Sequence, residues 1–396
     1  MFREIQQLPD DPILRLSQLC RDDARSHKID VGVGIFIDEQ GNTPVMRAVK
    51  AAEQRVWESQ STKKYQPLSG NPEFNAAMGK LVLGDAFDGA RMRVNQSTGG
   101  TGALRVIGEV IAAVQPEATL WIPDPTWGNH MAVFTAAGVK FDRYPYLDPE
   151  TCEVARDKVF AALAQLGDKD CVLLHGCCHN PSGADFSRED WEKIAQLANE
   201  KGFVPIIDFA YLGLGENLED DAWGVRHVVK NVPQALIAVS CSKNFGLYRD
   251  RSGVIISVAE NAEQVNALQT QVNAATRTTV SMSPDHPAAT VATILNDAAL
   301  KADWEQELAD MCGFIRSRRE KLQAAMADAG GRDWSFITRH HGMFSLLPLG
   351  AERVQILREE FAIYMVGTGR INLAGLRNDD MIRYFAESVK TVLART

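Results

Sequence analysis

Short apolar runs alternate with longer amphipathic segments over the middle of the chain, from about residue 97 to residue 260. Several of these runs end at Pro, Asp, His or Ser; they are Ala118–Ile122, Cys171–Leu174, Phe203–Ile207, Ala235–Val239 and Gly253–Ser257. Between them lie helical patterns such as Ser187–Lys201, where Ser187 and Asp190 have the spacing of an N-terminal cap. Continuous apolar strands separated by helices predict an α/β fold with a mostly parallel sheet between helices.

The remaining segments predict a second, smaller α/β domain. Residues 300–327 have the pattern of one long helix that leaves the sheet region, and Met343–Leu349 and Arg370–Leu373 have strand character. The N-terminal 40 or so residues have no core of their own, so we expect them against this domain or a partner chain. A chain of 396 residues is expected to form two domains. We place the large domain at 45–300 and the small domain at 1–44 and 301–396.

The charge and composition disfavour several classes of protein. Lys and Arg number 42 against 51 Asp and Glu, and the resulting net charge of −9 disfavours nucleic acid or an acidic membrane surface as partner. No apolar stretch approaches the roughly 20 residues that span a bilayer, and the N-terminus lacks the apolar core of a signal peptide. Seven cysteines outside any short secreted framework indicate a reducing compartment, so we expect a cytoplasmic protein.

Adjacent cysteines at 177 and 178, beside His175 and His179, are the one feature that resembles a metal site. Structural zinc sites use cysteines two to four residues apart together with a second ligand pair, and neither is present here. We therefore expect no metal, and we expect Cys177 and Cys178 to pack as small apolar residues under a loop.

A lysine stands at the end of the apolar run Ala235–Val239, in the polar sequence Ser240–Arg251. Ligands of open α/β sheets bind at the carboxyl ends of the strands. A lysine held there, partly desolvated and close to Arg251, has the lowered pKa that an amine needs to attack a carbonyl. Lys243 is thus a candidate nucleophile, although one strand-end lysine alone is more often an ordinary surface residue.

Three further stretches carry candidate chemistry. The glycine-rich Ser97–Arg105 precedes a helical pattern, which makes it either a phosphate-binding turn or an ordinary glycine-rich helix start. Asn180 follows a buried strand within His175–Gly183, where Pro181 turns the chain. Asp208 ends another apolar strand, with Tyr211 three residues on. Such an aspartate serves either as a helix cap or as the partner of a pyridinium nitrogen.

Together these stretches resemble the fold-type I, pyridoxal-phosphate-dependent aminotransferases, specifically the class I aspartate and aromatic amino-acid group. The resemblance runs nearly end to end. Within this group, the sequence is most similar to the bacterial aromatic amino-acid aminotransferases. The matching motifs are Ile29–Gly34, Tyr65, Gly99–Leu104, Asp124–His130, His175–Gly183, Asp208–Tyr211, Ser240–Arg251, Gly342–Ser345 and Gly369–Gly375. The resemblance implies a large domain with a mostly parallel sheet between helices and a smaller α/β domain.

The resemblance also implies roles in binding pyridoxal 5'-phosphate. Lys243 would hold the cofactor covalently and then move protons as general base and acid. Asp208 would pair with the pyridine nitrogen. Tyr211 and Asn180 would contact the ring's phenolate oxygen, and Trp127 would stack on the ring. The phosphate would be held by Gly100, Thr101, Ser240 and Arg251. Tyr65 would also bind the cofactor, reaching across from the other subunit of a homodimer. His130 and His175 would lie behind Asp208, although a simple buried histidine is equally consistent with His175.

Two arginines would decide the substrate. Arg370 resembles the residue that binds the α-carboxylate, where Gly34 and Phe344 also fall in substrate-binding motifs, as do Trp127 and Asn180. Arg277 aligns with the family's distal-carboxylate arginine, which comes from the neighbouring subunit. The sequence departs from the family around it, because Val280 and Met282 stand where Tyr and Asn are usual. A less tethered Arg277 would swing aside for an aromatic ring, or dicarboxylate binding would be impaired.

The resemblance therefore predicts a cytoplasmic, homodimeric aminotransferase that moves the amino group between an aromatic amino acid and 2-oxoglutarate by a ping-pong mechanism. Aspartate aminotransferase is the alternative. A lyase or decarboxylase on the same scaffold is disfavoured by the two carboxylate-binding arginines. A regulatory protein without catalysis is disfavoured by Lys243, Asp208 and Arg370 together. A nicotinamide dehydrogenase is disfavoured because Glu117 precedes its strand instead of ending it.

Overall fold

A computed structural model of the chain describes residues 2–330 and 332–395. Its main element is a seven-stranded sheet of order β2-β8-β7-β6-β5-β3-β4, and two small two-stranded sheets pair β1 with β10 and β9 with β11. The strands are β1 Ile29–Asp30, β2 Met92–Ser97, β3 Thr119–Asp124, β4 Lys140–Pro145, β5 Asp170–His175, β6 Val204–Phe209, β7 Ala235–Ser240, β8 Gly253–Val258, β9 Phe344–Leu346, β10 Ile363–Tyr364 and β11 Arg370–Asn372.

Helices cover the sheet and build the rest of the fold. They are α1 Pro12–Asp22, α2 Arg47–Ser59, α3 Pro72–Leu83, α4 Gly99–Val114, α5 Asn129–Ala136, α6 Arg156–Leu163, α7 Arg188–Lys201, α8 Leu218–Asn231, α9 Ala262–Thr279, α10 Asp285–Asn296, α11 Ala298–Met326, α12 Phe336–Arg339, α13 Ala351–Phe361 and α14 Asp379–Arg395. The predicted cap of α7 is confirmed: the Ser187 hydroxyl accepts from the Asp190 backbone, and the Asp190 carboxylate accepts from the Ser187 backbone.

The predicted sheet is confirmed. Strands β3 to β7 pair in parallel, and β8 alone runs antiparallel to its two neighbours, β7 and β2. All five predicted strands lie within a residue or two of their expected bounds. Parallel strands buried on both faces require apolar side chains throughout, which is why β7 and β8 are buried at every position.

Two strands of the large sheet were not among the predicted ones. Strand β4 lies at one edge and is largely exposed, and its sequence Lys-Phe-Asp-Arg-Tyr-Pro is mostly polar. Strand β2 lies at the other edge and carries Arg93, Asn95 and Gln96. Edge strands bury less apolar surface than central ones, so their sequences have no continuous apolar run. The glycine-rich stretch lies at a helix start, as expected, and it forms the first turn of α4.

The chain folds into two compact units, and one of the boundaries between them falls within α11, after Gly313. The larger unit comprises Pro44–Gly313 and His340–Gly342 and contains the whole seven-stranded sheet. One of its cores packs the apolar side chains of α4 onto buried residues of the sheet, among them Leu120, Ile206 and Leu236.

The smaller unit comprises Met1–Thr43, Phe314–Arg339 and Met343–Thr396. Here β1 pairs in parallel with β10, and Leu16 and Cys20 of α1 pack against Tyr364 and Ala362. The antiparallel pair of β9 and β11 places Arg370 opposite Leu346. Within the part of the chain that the structure describes, none of the helices combines the length and apolar character that crossing a membrane requires.

Candidate functional site

The carboxyl ends of β5, β6 and β7 carry the candidate residues of the larger unit. Asp208 lies in β6, opposite His175 of β5 on one side and Ala238 of β7 on the other. Ser240 ends β7, and Lys243 follows in the next turn. Because the three strands are parallel neighbours, residues that lie far apart in sequence reach one edge of the sheet.

Lys243 is partly buried, and its ammonium nitrogen lies 4.9 Å from the centre of the Tyr211 ring. The pKa of Lys243 is lowered to about 8, chiefly because the side chain is removed from water. The Asp208 carboxylate opposes this shift, whereas the positive charge of Arg251 contributes to it. The side chain is therefore an amine with a substantial uncharged, nucleophilic fraction near neutral pH.

Asp208 is buried and hydrogen-bonded. Burial alone would raise the pKa of its carboxyl, but the hydrogen bond from His130 and the nearby positive charges outweigh burial and hold the pKa below its ordinary value. A carboxylate only accepts, so the 2.9 Å contact between His130 Nε2 and Asp208 Oδ2 assigns the proton to that nitrogen. Asp208 thus presents a negative charge at the sheet edge.

A chain of hydrogen bonds continues behind Asp208. The Thr126 hydroxyl lies 2.9 Å from His130 Nδ1 and 3.1 Å from His175 Nε2. Burial lowers the pKa of His175 to about 3, so this ring is neutral. His130 and His175 therefore both belong to the network that supports Asp208. Thr126 was not singled out from the sequence, although it lies in the matching motif Asp124–His130.

The loop after β5 carries Asn180, which is buried. The Asp185 carboxylate closes the loop by accepting from the backbone N–H groups of Cys178 and His179, at 2.7 and 2.8 Å. Trp127 is partly exposed, and its ring meets the His130 ring edge-on at a centroid distance of 5.1 Å. Asn180 and Trp127 thus both lie on segments that are tied to the strand ends bearing Asp208.

The first turn of α4 forms a cradle with Arg251. Gly99 has φ +67°, and a Cβ built there would lie 2.7 Å from Arg251 Nη2. At Gly100 a Cβ would lie 3.1 Å from the Cβ of Ser240. Only glycine lets the helix start approach these side chains so closely. Thr101 is the third residue of the same turn, and the first N–H groups of a helix have no partner within it.

The cradle has the features of a site for a phosphate group. Arg251 is fixed by hydrogen bonds to Ser242 Oγ and the Tyr248 carbonyl, at 3.1 and 3.0 Å. Thr98 Oγ1 is buried and has no partner among the described residues. A helix N-terminus, a guanidinium and an unused hydroxyl together suit a dianion. With Lys243 and Asp208 at the adjoining strand ends, the residues present fit pyridoxal phosphate.

The cysteine pair lies under the same loop. Cys177 and Cys178 are buried. Their two sulfur atoms and an oxygen of Asp221 all lie within 4.8 Å of one another. Both oxygens of Asp221 already accept backbone N–H groups, from residues 213, 215 and 216. Burial raises the pKa of the Cys178 thiol to about 12, which opposes the thiolate form that binds metals. The burial of both cysteines agrees with the packing role that the sequence predicts for them.

In the smaller unit the structure brings together Arg370, Phe344 and Gly34. The Arg370 guanidinium lies 4.5 Å from the centre of the Phe344 ring, and its Nη2 donates to the Gly32 carbonyl at 2.6 Å. A Cβ at position 34 would lie 2.9 Å from Phe344 Cζ, so the close approach requires glycine there. Arg370 is buried, which marks it as a positioned cation and not a surface charge.

Tyr65 and Arg277 lie on the surface of the larger unit, and neither is near Lys243 in sequence. Tyr65 is 89% exposed. Arg277 is exposed in the last turn of α9, where its Nη1 donates to Ser281 Oγ at 2.8 Å. The two segments are linked, because the backbone N–H of Gln66 contacts the sulfur of Met282 at 3.0 Å.

Comparison with known proteins gives one consistent result. The model of the family "Aminotransferase class I and II" matches residues 26–389. The chain is 43% identical to an aspartate aminotransferase of Haemophilus influenzae, over 99% of this chain and 100% of that protein. It is 42% identical to an aromatic-amino-acid aminotransferase of Paracoccus denitrificans, over 98% and 99%.

Solved structures agree. An aromatic-amino-acid aminotransferase from Burkholderia pseudomallei, covalently bound to pyridoxal phosphate, superposes with a TM-score of 0.95 at 37% identity. The match covers 99% of both chains.

Proposed function

The chain belongs to the class I and II aminotransferases, and from that premise we propose that it moves the amino group between an aromatic amino acid and 2-oxoglutarate. It is a transaminase that uses pyridoxal phosphate. When bound, this cofactor supplies an electron-withdrawing ring that stabilises negative charge at the substrate Cα and carries the amino group between the two half-reactions.

Lys243 holds the cofactor covalently in this proposal and later transfers the proton. A pKa of about 8 leaves part of the amine uncharged at neutral pH, as both tasks require. Asp208 keeps the pyridine nitrogen protonated, because a carboxylate supported by His130 remains negative. Tyr211 and Asn180 would contact the oxygen on the ring, and Trp127 would pack against the ring.

The cradle at the start of α4 binds the phosphate in this proposal. Gly100, Thr101 and Ser240 line it, and Arg251 supplies the positive charge. Support comes from the close approach of Gly99 to Arg251. It also comes from the buried Thr98 hydroxyl, which has no hydrogen-bond partner among the described residues. Charge-assisted hydrogen bonds to a phosphate are about twice as strong as neutral ones, so Arg251 should dominate this affinity.

Arg370 binds the α-carboxylate of either substrate, with Phe344 and Gly34 beside it. Arg277 binds the distal carboxylate of 2-oxoglutarate in a neighbouring subunit, and Tyr65 reaches the cofactor of that same subunit. Support comes from the exposure of both side chains, which leaves them available to a second copy of the chain. We therefore propose a homodimer with shared sites.

The domain bounds and the compartment are further proposals. We propose a large cofactor-binding domain at 45–300 and a small domain at 1–44 and 301–396. A cytoplasmic location is supported by the seven cysteines, which are all buried thiols. Aspartate aminotransferase is a second candidate function, favoured by the 43% identity to the Haemophilus influenzae enzyme.

The observation that carries the proposal is the convergence of Lys243, Asp208 and the phosphate cradle at one edge of the sheet. The test is a panel of half-reactions on the purified holoenzyme with aspartate, phenylalanine, tyrosine and tryptophan, each followed by the absorbance of the bound cofactor. The proposal expects the aromatic amino acids to react at least as fast as aspartate. The Lys243→Ala variant serves as control, since it should react with none of them at a comparable rate.

A further inference from the structure

Residues His340–Gly342 cluster with the larger unit, although the segments before and after them belong to the smaller one. They lie along the loop that carries Asn180. His341 donates its backbone N–H to the Gly183 carbonyl at 2.9 Å. Gly342 has φ +73°, and a Cβ there would lie 2.4 Å from the Cβ of Cys178. The segment thus contacts both ends of the loop.

The side chain of His340 makes a hydrogen bond to this loop. It is 3% exposed, and its Nδ1 lies 3.1 Å from the Ser182 carbonyl oxygen. A carbonyl only accepts, so Nδ1 carries the proton. Its other nitrogen, Nε2, lies 3.7 Å from the Glu153 carboxylate. The hydrogen bond from Nδ1 therefore ties the His340 ring to the backbone of the loop.

Ser182 connects His340 to other residues of the loop through its own hydrogen bonds. Its hydroxyl accepts from the Ala184 backbone at 3.1 Å and lies 2.7 Å from His179 Nδ1. The His179 ring packs on the Tyr146 ring at a centroid distance of 4.0 Å and lies 4.4 Å from His175. His175 belongs to the hydrogen-bonded chain that ends at Asp208. The hydrogen bond to Ser182 therefore restrains the loop that carries Asn180. Through His179 and His175, Ser182 is also connected to the hydrogen bonds that hold Asp208.

We propose that His340 is a positioning residue that holds Asn180 in place through its hydrogen bond to the Ser182 carbonyl. The inference rests on the proposed function, in which Asn180 bonds the ring oxygen of the cofactor. Asn180 stands two residues before Ser182, so a shift of that carbonyl moves the Asn180 amide. Losing the bond weakens the hydrogen bond to the ring oxygen and misorients the ring, and displacements near 1 Å can cost up to about a hundredfold in rate.

The neighbouring histidine is a matched control. His341 bonds the same loop through its backbone N–H, and its side chain pairs with Glu216 at 3.3 Å, in a partly exposed position. Replacing the His341 side chain leaves its backbone bond to Gly183 available. The hydrogen bond of His341 to the loop comes from its backbone, whereas that of His340 comes from its ring.

The experiment compares holoenzymes of wild type, His340→Leu, His340→Asn and His341→Leu. The primary readout is the pH titration of the bound cofactor's absorbance, because a hydrogen bond to the charged ring oxygen sets its midpoint. We expect His340→Leu to shift the midpoint upward by about half a pH unit or more and to lower kcat about tenfold, with KM changed less than twofold. His340→Asn keeps an N–H donor near the position of Nδ1 and should restore most of both values, and His341→Leu should match wild type.

Three outcomes would overturn the inference. A His340→Leu enzyme with a lowered melting temperature but a wild-type midpoint would show a purely structural residue. A His340→Asn enzyme as impaired as His340→Leu would show that the hydrogen bond is not the cause. If His340→Leu does not fold, nitrogen-15 NMR of histidine-labelled wild type decides, because the inference requires an exchange-protected proton on His340 Nδ1. A wild-type enzyme without a cofactor absorbance would contradict the proposed function itself.

Discussion

The ammonium nitrogen of Lys243 lies 4.9 Å from the centre of the Tyr211 ring, within reach of a cation–π contact. The two residues follow neighbouring parallel strands, β7 and β6, which bring them to one edge of the sheet. The contact holds the lysine over the strand end that also carries Asp208.

Lys243 is expected to be the residue that binds the cofactor covalently. Borohydride reduction of the holoenzyme followed by peptide mapping should place the cofactor on Lys243, because it is the lysine that follows β7 beside Asp208 and Arg251. Lys243→Arg keeps the charge and should remain unlabelled. Label on any other lysine contradicts the assignment.

The attachment of cofactor to the apoenzyme should follow the lowered pKa of Lys243. Below this pKa the amine is protonated and cannot attack, so the rate should rise with pH and level off above about 8. An unperturbed lysine would give a rise centred near 10.4. Stopped-flow absorbance from pH 6 to 10 measures the midpoint, and a midpoint above 10 would mean that Lys243 is not desolvated.

Arg251→Ala should weaken cofactor binding. The change removes a charge-assisted interaction worth about 1.5–3 kcal/mol, which corresponds to a roughly 10- to 150-fold higher Kd. Equilibrium dialysis of the apoenzyme against the cofactor measures the effect. Arg249 is a matched control, because it lies two residues away and is exposed, so Arg249→Ala should leave the Kd unchanged. Equal retention by the Arg251→Ala enzyme would count against the cradle.

Subunits are expected to share their active sites. A Lys243→Ala chain and an Arg277→Ala chain, each impaired with acidic substrates, should regain part of that activity when mixed. In the mixed dimer one site receives Lys243 from one chain and Arg277 from the other. Assays with 2-oxoglutarate after confirmed subunit exchange provide the test, with each variant alone as control. Sites contained within single chains would give no recovery.

The enzyme is expected to accept both aromatic and acidic substrates. Val280 and Met282 stand where the family usually has Tyr and Asn, so Arg277 lacks those polar tethers and is expected to move aside for a ring. Such movement matters because an unpaired arginine beside an aromatic ring is costly. Arg277→Leu should damage reactions of aspartate and 2-oxoglutarate while largely sparing phenylalanine, as measured by kcat/KM.

A wild-type preference for aspartate over phenylalanine of more than about tenfold would contradict the aromatic assignment. Such a ratio corresponds to roughly 1.4 kcal/mol in transition-state binding. Aspartate aminotransferase would then be the function.

The residues at the strand ends were predictable from sequence for a physical reason. A buried parallel strand must be apolar throughout, so its end is marked by the first polar residue, as at Asp208 and Ser240. Parallel strands end at the same edge, which is why Lys243 and Asp208, both at strand ends, belong to one site. Glycines at 99 and 100 likewise indicated a close approach of backbone to a ligand or side chain.

The tertiary structure alone decided which distant groups support those residues. The Thr126 hydroxyl between His130 and His175, and the bond from His340 to Ser182, join segments whose separation along the chain leaves no periodic pattern. Edge strands β2 and β4 were missed because pairing at an edge does not require an apolar run. Local composition reports whether a residue is buried, whereas the partner of a polar group depends on which segments the fold packs together.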